Sequence, residues 1–390
     1  MKTFGALLGA YRKKNGVSQR ELARRVKIAA SYLNEIEKGE RGIPSAKIVK
    51  KLARELEVPI EALYDMAARE SLQLPPDMSN LVKSRPEALE LMRALDRYHL
   101  RRDQILALKK QVERGFLKAI ILAAGKGSRM KHMTESLPKC LAIQFEGKTL
   151  LQTQLETLRK CGIYDIVVVR GYEGNKINYP RIRYVWNHEY ERNNILGSLM
   201  SAAGELEGDV LISYSDIWYE ESVVRKLMRS DKDIAIGVDI DWKDYYEGRK
   251  EHPIEEAENV IFDSDNRVIK IGKIGASGVE VHGEFIGMMK LTSRGAALMK
   301  EHYRRAQALF DGKPFQRAKE FRNAYLTDLL QDMADLGVPI HCEIIGSKWK
   351  EIDTIEDFKN VVQWLSAKAR TKTAAAKESV HVHSNENSPV

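Results

Sequence analysis

A glycine-rich segment with nearby basic residues is the first part of the chain whose spacing could do chemistry. It reads Leu-Ala-Ala-Gly-Lys-Gly-Ser-Arg over residues 122–129, and Pro138-Lys139 follows shortly afterwards. Gly125 and Gly127 lack a Cβ, so successive backbone N–H groups can approach phosphate oxygens closely. Arg129 and Lys139 would add the positive charge that a triphosphate needs while its α-phosphorus is attacked. Taken alone, the Gly-x-Gly spacing is equally compatible with an ordinary tight turn.

Two well-known phosphate-binding loops do not fit this segment. A Rossmann dinucleotide site requires Gly-x-Gly-x-x-Gly and an acidic residue about 20 positions later. Here Gly127 is followed by Ser128-Arg129-Met130, so the third glycine is missing. A P-loop requires a closing Gly-Lys-Ser/Thr, which this segment lacks at the necessary spacing. Both classes of nucleotide-binding protein are therefore disfavoured.

Two aspartates stand at the ends of apolar, strand-like segments and could hold a metal ion. Asp216 ends the string Ser-Tyr-Ser-Asp over residues 213–216, and Asp353 lies in Glu-Ile-Asp-Thr over residues 351–354. Ligands of open α/β sheets bind beyond the carboxyl ends of the strands, and Mg²⁺ prefers carboxylate oxygens together with substrate phosphates. Each aspartate could instead cap the helix that follows it, so the residues alone leave both interpretations open.

A pair of asparagines precedes a helical segment between these two aspartates. The string is Asn-Asn-Ile-Leu-Gly-Ser-Leu over residues 193–199. Side-chain amides in this position could simply cap the helix, or they could contact a bound nucleotide. The residues alone do not decide between these two roles.

Taken together, these strings resemble the nucleotidylyltransferase superfamily, whose signature is Leu-Ala-Ala-Gly-x-Gly-x-Arg followed by Pro-Lys. The resemblance implies that the loop cradles the triphosphate and that Asp216 and Asp353 bind Mg²⁺. It implies catalytic roles for Arg129, Lys139, Asp216 and Asp353. The small cytidylyltransferases of this superfamily carry a similar Asn-Asn-x-x-x-Ser-Leu string near the nucleotide. The expected nucleotide-binding residues are Leu122, Ala123, Ala124, Gly125, Lys126, Gly127, Ser128, Arg129, Asn193, Asn194, Gly197 and Ser198.

Residues 117–365 are similar in particular to the phosphocholine and 2-aminoethylphosphonate cytidylyltransferases. Supporting strings are Val-Arg-Gly-Tyr over residues 169–172 and Gly-Glu-Phe-Ile-Gly-Met over residues 283–288. Carboxylates and aromatic faces near residue 240 suit an acceptor amine through charge pairing and cation–π contact. Scattered aromatics on an exposed lid are the alternative. The expected acceptor-binding residues are Asp239, Asp241, Trp242, Tyr245, Tyr246 and Glu284.

The first 70 residues predict short helices and resemble a phage-repressor-like helix-turn-helix domain. Ser18-Gln19-Arg20-Glu21 matches a capping box, and a second helix is predicted from about Ala30 to Lys38. In such domains this second helix enters the major groove of DNA, and dimers bind two half-sites. The recognition helix has no arginine and carries Glu35 and Glu37, so a helical domain kept for dimerisation is the alternative. The expected DNA contacts are Gln19, Lys27, Ser31, Tyr32, Asn34 and Arg41.

Charge is segregated along the chain. Residues 1–118 hold 25 Lys and Arg against 15 Asp and Glu, whereas the other 272 residues hold 38 against 40. A basic excess confined to one part favours a polyanion partner for that part alone. Residues 71–116 predict a linker and a charged amphipathic helix from Pro86 to about Glu113, either a spacer or a dimerising pair. Residues 369–390 are polar and aperiodic, which predicts a disordered tail.

From Phe116 onward, apolar strands alternate with helical segments, which predicts a mostly parallel, doubly wound α/β sheet over residues 117–368. This nucleotidyltransferase fold follows a small all-α helix-turn-helix domain. No apolar run is long enough for a membrane span, and Tyr-Arg-Lys-Lys at residues 11–14 replaces a signal-peptide cleavage site. Cys140, Cys161 and Cys342 form no disulfide or zinc pattern. A cytoplasmic homodimer is expected.

The function predicted is a Mg²⁺-dependent transfer of CMP from CTP to 2-aminoethylphosphonate, phosphocholine or a similar phospho- or phosphono-amine, with release of pyrophosphate. A sugar-1-phosphate nucleotidylyltransferase that uses UTP or dTTP is the alternative within the same class. A transcriptional regulator that uses the transferase fold as a metabolite sensor is the alternative from another class. Retention of both candidate metal carboxylates favours catalysis.

Overall fold

The computed structural model describes residues 3–58, 60–71, 76–114, 116–274 and 280–368. The chain divides into two compact units, Met1–Val112 and Glu113–Val390. The division falls four residues before the boundary predicted at residue 116. The tail predicted over residues 369–390 lies outside the described residues.

The N-terminal part is helical where it is described. Its helices are α1 Phe4–Lys14, α2 Gln19–Val26, α3 Ala30–Lys38, α4 Ala46–Glu55, α5 Ile60–Ser71, α6 Pro76–Ser84, α7 Pro86–Arg97 and α8 Arg102–Arg114. Ser18 caps α2 by accepting a hydrogen bond from the Glu21 amide at 3.2 Å, and Lys27 ends it in the left-handed conformation. The buried core includes Leu8, Leu22, Leu33 and Leu52.

The single amphipathic helix predicted from Pro86 to about Glu113 is wrong. The structure has two helices, α7 and α8, separated by a turn at residues 98–101. His99 in this turn has a φ of +46°, a left-handed conformation that cannot continue an α-helix. The apolar periodicity runs on across the turn, which is why the sequence pattern alone did not show the break.

The larger unit is an α/β domain. Its strands are β1 Lys118–Ala123, β2 Gln144–Phe145, β3 Lys148–Thr149, β4 Asp165–Arg170, β5 Arg183–Trp186, β6 Val210–Tyr214, β7 Ile217–Tyr219, β8 Ile234–Asp239, β9 Asn259–Phe262, β10 Val268–Gly272, β11 Gly283–Leu291, β12 His341–Ile344 and β13 Trp349–Glu351. Its helices are α9 Lys139–Ala142, α10 Leu150–Lys160, α11 Ile195–Ser201, α12 Glu221–Arg229, α13 Trp242–Tyr246, α14 Ser293–Phe310 and α15 Leu326–Asp335. A further helical segment covers residues 355–368.

The predicted parallel sheet is confirmed in the centre of the domain. Strands β5, β4, β1 and β6 lie side by side and parallel. Beyond β6 the sheet continues with antiparallel β11, which also pairs with β8 and β9. Side chains of β1 alternate between two cores: Ile120 and Leu122 pack toward α11, α14 and α15, and Ile121 packs toward α10 and α12. The sheet is thus covered on both faces, as a doubly wound fold requires.

Strand β13 pairs with β7 in a small two-stranded ladder outside this sheet. Glu351 lies opposite Ile217, and the Ile352 amide donates to the Asp216 carbonyl at 2.9 Å. The ladder therefore fixes the two sequence-predicted aspartates next to each other although 137 positions separate them. None of the described helices is both long and apolar enough to cross a membrane.

Candidate active site

A cavity of about 300 Å³ opens where β1, β6 and β13 end. Because β1 and β6 are parallel neighbours, their carboxyl ends meet at one edge of the sheet, which is where ligands of such sheets bind. Its lining includes both glycines of the loop, Ser128, Arg129, Lys139, Asn194, Tyr214, Asp216, His252, Glu256, Glu258, Lys273, Glu284, Tyr325, Trp349, Glu351 and Asp353. The four residues predicted to be catalytic are thus brought together in one cavity.

The glycine loop follows directly on β1. Gly127 has a φ of +65°, and a Cβ built there would lie 2.8 Å from the Lys139 Cβ. Only glycine meets both demands, since a side chain would be strained and would push Lys139 away. The loop glycine and the lysine of the Pro-Lys string are therefore one packed unit.

Lys139 lies between the two aspartates. Its Nζ donates to Asp216 Oδ2 at 3.0 Å and also to Asp353 Oδ1. Burial by itself would lower the pKa of Lys139, but the two carboxylates hold it above its usual range. Burial would likewise raise the pKa of Asp353, and Lys139 and Arg129 hold it well below its usual range. The lysine and Asp353 both stay charged at any physiological pH.

Arg129 completes the charged end of the cavity. It donates to Asp353 Oδ2, and its Nη2 lies 3.5 Å from Glu256 Oε2. The side chain is about half exposed. It can therefore turn toward a ligand without leaving a buried charge unpaired.

The carboxylates fit a divalent cation. Asp216 Oδ1 is buried and has no hydrogen-bond partner among the described residues. A buried carboxylate oxygen without a donor is costly, and a hard cation is a ligand that satisfies it. His252, Glu351 and Asp353 also place one potential ligand atom each within 4.8 Å of one another.

Three glutamates of the cavity form an acidic wall: Glu258, Glu284 and Glu351, of which Glu351 lies beside Asp353 and joins the wall to the charged end. Burial raises the pKa of Glu258 to about 7 and that of Glu284 to about 8. Burial also raises the pKa of Glu351 well above its usual range. Glu284 Oε1 accepts from the Tyr246 hydroxyl at 2.5 Å, whereas its buried Oε2 has no partner among the described residues. Glu284 therefore keeps one buried carboxyl oxygen that no described residue satisfies.

Of the asparagine string, Asn194 and its neighbour Ile195 line the cavity. Asn193 and Ser198 bond instead to the buried Asn187, at 2.8 and 3.0 Å. A Cβ on Gly197 would lie 2.6 Å from the Asn193 side chain, so this glycine admits the network. Their nucleotide contact stays a prediction, and the structure gives Asn193, Gly197 and Ser198 a supporting position behind Asn194.

The remaining predicted loop residues differ in position. Leu122 lines the cavity. Ala123 and Ala124 are buried beside it. Lys126 is directed elsewhere, with its Nζ 5.5 Å from the Tyr172 ring centroid.

The aromatic residues predicted to bind the acceptor lie behind the acidic wall. Trp242 and Tyr246 are buried, and none of the three rings is among the residues that line the cavity. Arg249 already lies over the rings of Tyr245 and Tyr246, at 4.3 and 4.5 Å. Lys350 lies 4.2 Å from the Tyr245 centroid. Direct cation–π contact with an acceptor is contradicted by this burial, because protein cations occupy the ring faces.

The two aspartates of that prediction also have internal roles. Asp239 is buried and accepts from Trp349 Nε1 at 2.8 Å and from the Asp241 amide at 2.9 Å. Asp241 accepts from Ser347 at 3.3 Å. Glu284 is the single member of the predicted acceptor set that reaches the cavity.

Sequence reasoning missed several cavity residues. Glu351 was visible as the neighbour of Asp353, but its flanking residues Lys350 and Ile352 do not by themselves indicate burial. Glu258, His252 and Lys273 lie in stretches without a motif, so no local signal marks them. Lys273 Nζ bonds Glu256 at 2.6 Å and lies 5.0 Å from the Tyr325 ring centroid.

The helix-turn-helix residues lie on α2, α3 and the turns beside them. Ser31 is exposed at the start of α3, and the Arg41 guanidinium lies 5.0 Å from the Tyr32 centroid. Gln19 Nε2 donates to Glu37 at 2.8 Å and to Asn34 at 3.3 Å. Glu37 also pairs with Arg12 in a nearly buried ion pair at 2.6 Å. Gln19 and Glu37 therefore hold the helices together, which leaves Ser31, Tyr32, Lys27 and Arg41 more accessible.

Comparisons with known proteins give separate matches in the two units of the chain. Residues 119–253 match the family model of the MobA-like NTP transferase domain, and residues 8–63 match a helix-turn-helix model. The chain is 29% identical to the CTP:phosphoglutamine cytidylyltransferase of Campylobacter jejuni, over 62% of this chain and 98% of that protein.

Shorter matches involve two other cytidylyltransferases. The choline-phosphate cytidylyltransferase of Streptococcus pneumoniae is 36% identical over 29% of this chain and 51% of its own length. The 2-aminoethylphosphonate cytidylyltransferase of Lancefieldella rimae is 35% identical over 25% of this chain and 42% of its own length. A solved structure of the CTP:phosphocholine cytidylyltransferase from Streptococcus pneumoniae has a TM-score of 0.48 and 22% identity, over 64% of this chain and 99% of that one.

The resemblance inferred from the glycine loop, the two aspartates and the N-terminal helices is thereby confirmed. Residues 119–253 thus carry a MobA-like NTP transferase domain, and residues 8–63 carry a helix-turn-helix domain before it.

Proposed function

We propose that the larger unit transfers CMP from CTP to a small acceptor that carries a phosphate or phosphonate group and a cationic amine. One acceptor oxygen attacks the α-phosphorus of CTP and forms a new P–O bond. The bond from the α-phosphorus to the bridging oxygen breaks, and pyrophosphate leaves with the electron pair. The observation that carries this proposal is a single cavity that holds two cations paired with aspartates and, on Glu284, a buried carboxyl oxygen without a partner among the described residues.

At the first end, Gly125, Gly127 and Ser128 offer backbone and hydroxyl groups to the triphosphate. Arg129 and Lys139 would exchange their carboxylate partners for phosphate oxygens, and their fixed charge would stabilise the charge that develops on the phosphates. Asp216 and Asp353 would hold Mg²⁺, which when bound would supply positive charge to the same phosphates. The acceptor oxygen is already anionic, so the reaction needs no general base.

At the second end, the acidic wall would bind the acceptor amine. A buried carboxyl without a counterion is unfavourable, and an ammonium group would supply the missing charge and donors. Lys273 also lines the cavity, where it pairs with Glu256, and would bind the phosphoryl or phosphonyl group of the acceptor. The names of the three cytidylyltransferases above each describe a phosphorus group on a small nitrogen compound, which supports this acceptor class and the choice of CTP.

The test is pyrophosphate release from a panel of four nucleoside triphosphates and several acceptors. Phosphocholine, 2-aminoethylphosphonate, phosphoglutamine and hexose-1-phosphates cover the alternatives. We expect CTP with an amine-bearing acceptor to give the highest kcat/KM by at least about tenfold, a difference of roughly 1.4 kcal/mol. Faster turnover of a hexose-1-phosphate with UTP or dTTP would replace this proposal by a sugar-phosphate transferase.

We also propose that the smaller unit binds DNA as a dimer. The basic excess of residues 1–118 supplies the non-specific part of such binding, which weakens steeply as salt rises. Exposed Ser31 and half-buried Tyr32 at the start of α3 would contact base edges. The expected operator is a palindrome in the operon of the enzyme's own pathway.

Selection of full-length protein against random DNA at about 150 mM salt tests this second function. We expect an enriched palindrome with half-sites about one helical turn apart. Absence of any enriched sequence, with or without CTP and acceptor, would leave a helical domain without a regulatory role. Nucleotide-dependent enrichment without pyrophosphate release would instead favour the metabolite sensor.

A further inference from the structure

The buried carboxylate of Asp357 is hydrogen-bonded to the main chain of Asp353. Asp357 is fully buried, and its Oδ2 accepts from the amides of Asp353 and Thr354 at 3.0 and 2.9 Å. The Asp357 amide in turn donates to Thr354 Oγ1 at 3.1 Å. These bonds close the first turn of the helical segment over residues 355–368. The main chain of Asp353 is thus attached to one oxygen of Asp357.

The other oxygen of Asp357 is attached to a segment more than a hundred residues away. Arg249 follows α13, and its Nε donates to Asp357 Oδ1 at 2.8 Å. Its Nη2 donates to His252 Nδ1 at 2.8 Å, since a guanidinium has no acceptor. The side chains of Arg249 and Asp357 are 1% and 0% exposed. This ion pair is therefore removed from water on both sides.

The same guanidinium lies over the two tyrosines that hold the acidic wall. The Tyr246 hydroxyl donates to Glu284, and the Tyr245 hydroxyl donates to the Glu351 carbonyl. Arg249 therefore contacts the supports of three cavity acids, Glu284, Glu351 and Asp353. We call Arg249 and Asp357 the buried pair.

A buried ion pair is weak evidence for stability, because desolvation offsets the attraction. Its geometry here has a more specific consequence. Asp353 has Lys139 and Arg129 as partners in this structure, and under the proposed function both turn to phosphates when the nucleotide binds. Unless its main chain is held independently, the Asp353 carboxylate would move during this exchange.

We propose that Arg249 is a positioning residue that acts through Asp357 to hold the main chain of Asp353 while its carboxylate exchanges cations. This inference rests on the proposed metal role of Asp353. It also assigns Tyr245 and Tyr246 to the support of the cavity acids instead of the acceptor. Neither residue of the buried pair lines the cavity, so the proposed effect on Asp353 is transmitted through the Asp353 and Thr354 amides.

Mn²⁺ binding to the protein, measured by electron paramagnetic resonance without acceptor or turnover, tests the inference. Loss of a residue that orients a metal ligand lowers metal affinity by about 10- to 100-fold. We expect Asp357→Asn and Arg249→Met to weaken Mn²⁺ binding by about tenfold. Arg249→Lys, which keeps the charge, should fall between Arg249→Met and the unmodified enzyme. Amide hydrogen exchange at Asp353 and Thr354 should accelerate in the same order, and the KM for CTP should change less than kcat.

Arg305→Met is the matched control. Arg305 pairs with Asp332 in the same domain, and neither residue lines the cavity. We expect this variant to lose thermal stability while its Mn²⁺ affinity stays unchanged. Should Arg249→Met fail to fold, Arg249→Lys and Asp357→Asn carry the comparison.

The inference is overturned if the Arg249 and Asp357 variants bind Mn²⁺ as tightly as Arg305→Met. Asp353→Asn separates this failure from that of the proposed function. If Asp353→Asn loses Mn²⁺ affinity but the variants of the buried pair do not, only the positioning role falls. If Asp353→Asn also binds Mn²⁺ normally, the metal site and the positioning role fall together.

Discussion

The two ends of the cavity differ both in charge and in how that charge is satisfied. At the phosphate end, Lys139 and Arg129 pair with Asp353, so burial is compensated within the protein. In the acidic wall, Glu284 keeps a buried oxygen without a partner in the described part of the chain. Under the proposed function, Asp353 exchanges existing partners when ligands bind, whereas Glu284 Oε2, like Asp216 Oδ1, gains a partner that no described residue supplies. Substitutions should therefore separate the chemical step from acceptor recognition.

The largest effect is expected from the metal carboxylates at the phosphate end. Asp216→Asn or Asp353→Asn should each lower kcat by roughly 100-fold or more, because transition-state electrostatics are lost. Steady-state pyrophosphate release at saturating Mg²⁺, with circular dichroism to verify folding, measures the effect. Near-normal turnover in either variant would remove that aspartate from the metal site. The chemical step would then no longer be assigned to the end of the cavity that contains it.

A smaller and more selective loss is expected in the acidic wall. Glu284→Gln should raise the acceptor KM by about tenfold or more, since a hydrogen bond to a charged group contributes roughly 1.5–3 kcal/mol. The KM for CTP should stay nearly constant. Exposed Glu251→Gln serves as the control for loss of one negative charge. Equal losses with acceptors that lack an amine would contradict a cation-binding role.

The pH dependence should sharpen the same distinction. With pKa values of Glu258 and Glu284 raised to about 7 and about 8, the acidic wall becomes anionic only as pH rises through that range. The KM for phosphocholine should therefore fall by several-fold between about pH 6.5 and 8.5. Glu284→Gln should flatten this dependence, and an unchanged slope in that variant would show that another group titrates.

The raised pKa values of Glu258 and Glu284 also affect the stability of the fold, but here the protonated form is the favourable one. A carboxyl whose pKa is higher in the folded state than in the unfolded state stabilises the fold while protonated. That contribution is complete below about pH 4.5 and is lost as pH rises to about 8. Urea denaturation of Glu284→Gln at pH 8.5 should give a larger free energy of unfolding than the unmodified enzyme. A lower value at that pH would contradict an unsatisfied carboxylate.

The smallest effect is expected behind the acidic wall. Tyr246→Phe removes the hydroxyl that lowers the pKa of Glu284, so the acceptor KM should rise about two- to threefold near pH 7.5, within the roughly 0.5–1.5 kcal/mol of one hydrogen bond. Tyr303→Phe is a control at a tyrosine outside the cavity lining. If Tyr246→Phe raises the KM for CTP instead, the hydroxyl serves the other end of the cavity.

The phosphate end could be predicted from sequence because its residues directly follow strands. A glycine loop after β1 and aspartates after β6 and β13 reach one edge of the sheet once the strands pair, and local patterns reveal each strand. The acidic wall depends on packing between distant segments. Nothing near Glu258 or Lys273 in the sequence indicates that they face the glycine loop.

The aromatic cluster near residue 240 illustrates the same difference. Its composition suited an acceptor site, but the short helix α13 turns Trp242 and Tyr246 inward. Arg249 then occupies the ring faces. The Arg249 guanidinium can be buried there because it pairs with Asp357, which is more than a hundred residues away in the sequence. The break between α7 and α8 was missed for another reason, because one left-handed residue ends a helix without disturbing its apolar pattern.

The ladder of β7 and β13 has a consequence for how such a protein can diversify. It joins residues 217–219 to residues 349–351, so the spacing of Asp216 and Asp353 is set by backbone pairing at the two ends of a long segment. That segment, residues 220–348, supplies Glu258, Lys273 and Glu284, and it also supplies strands β8 to β12 of the central sheet. Under the proposed function, substitution of these three cavity residues can therefore change acceptor preference while the ladder keeps the spacing of the two aspartates.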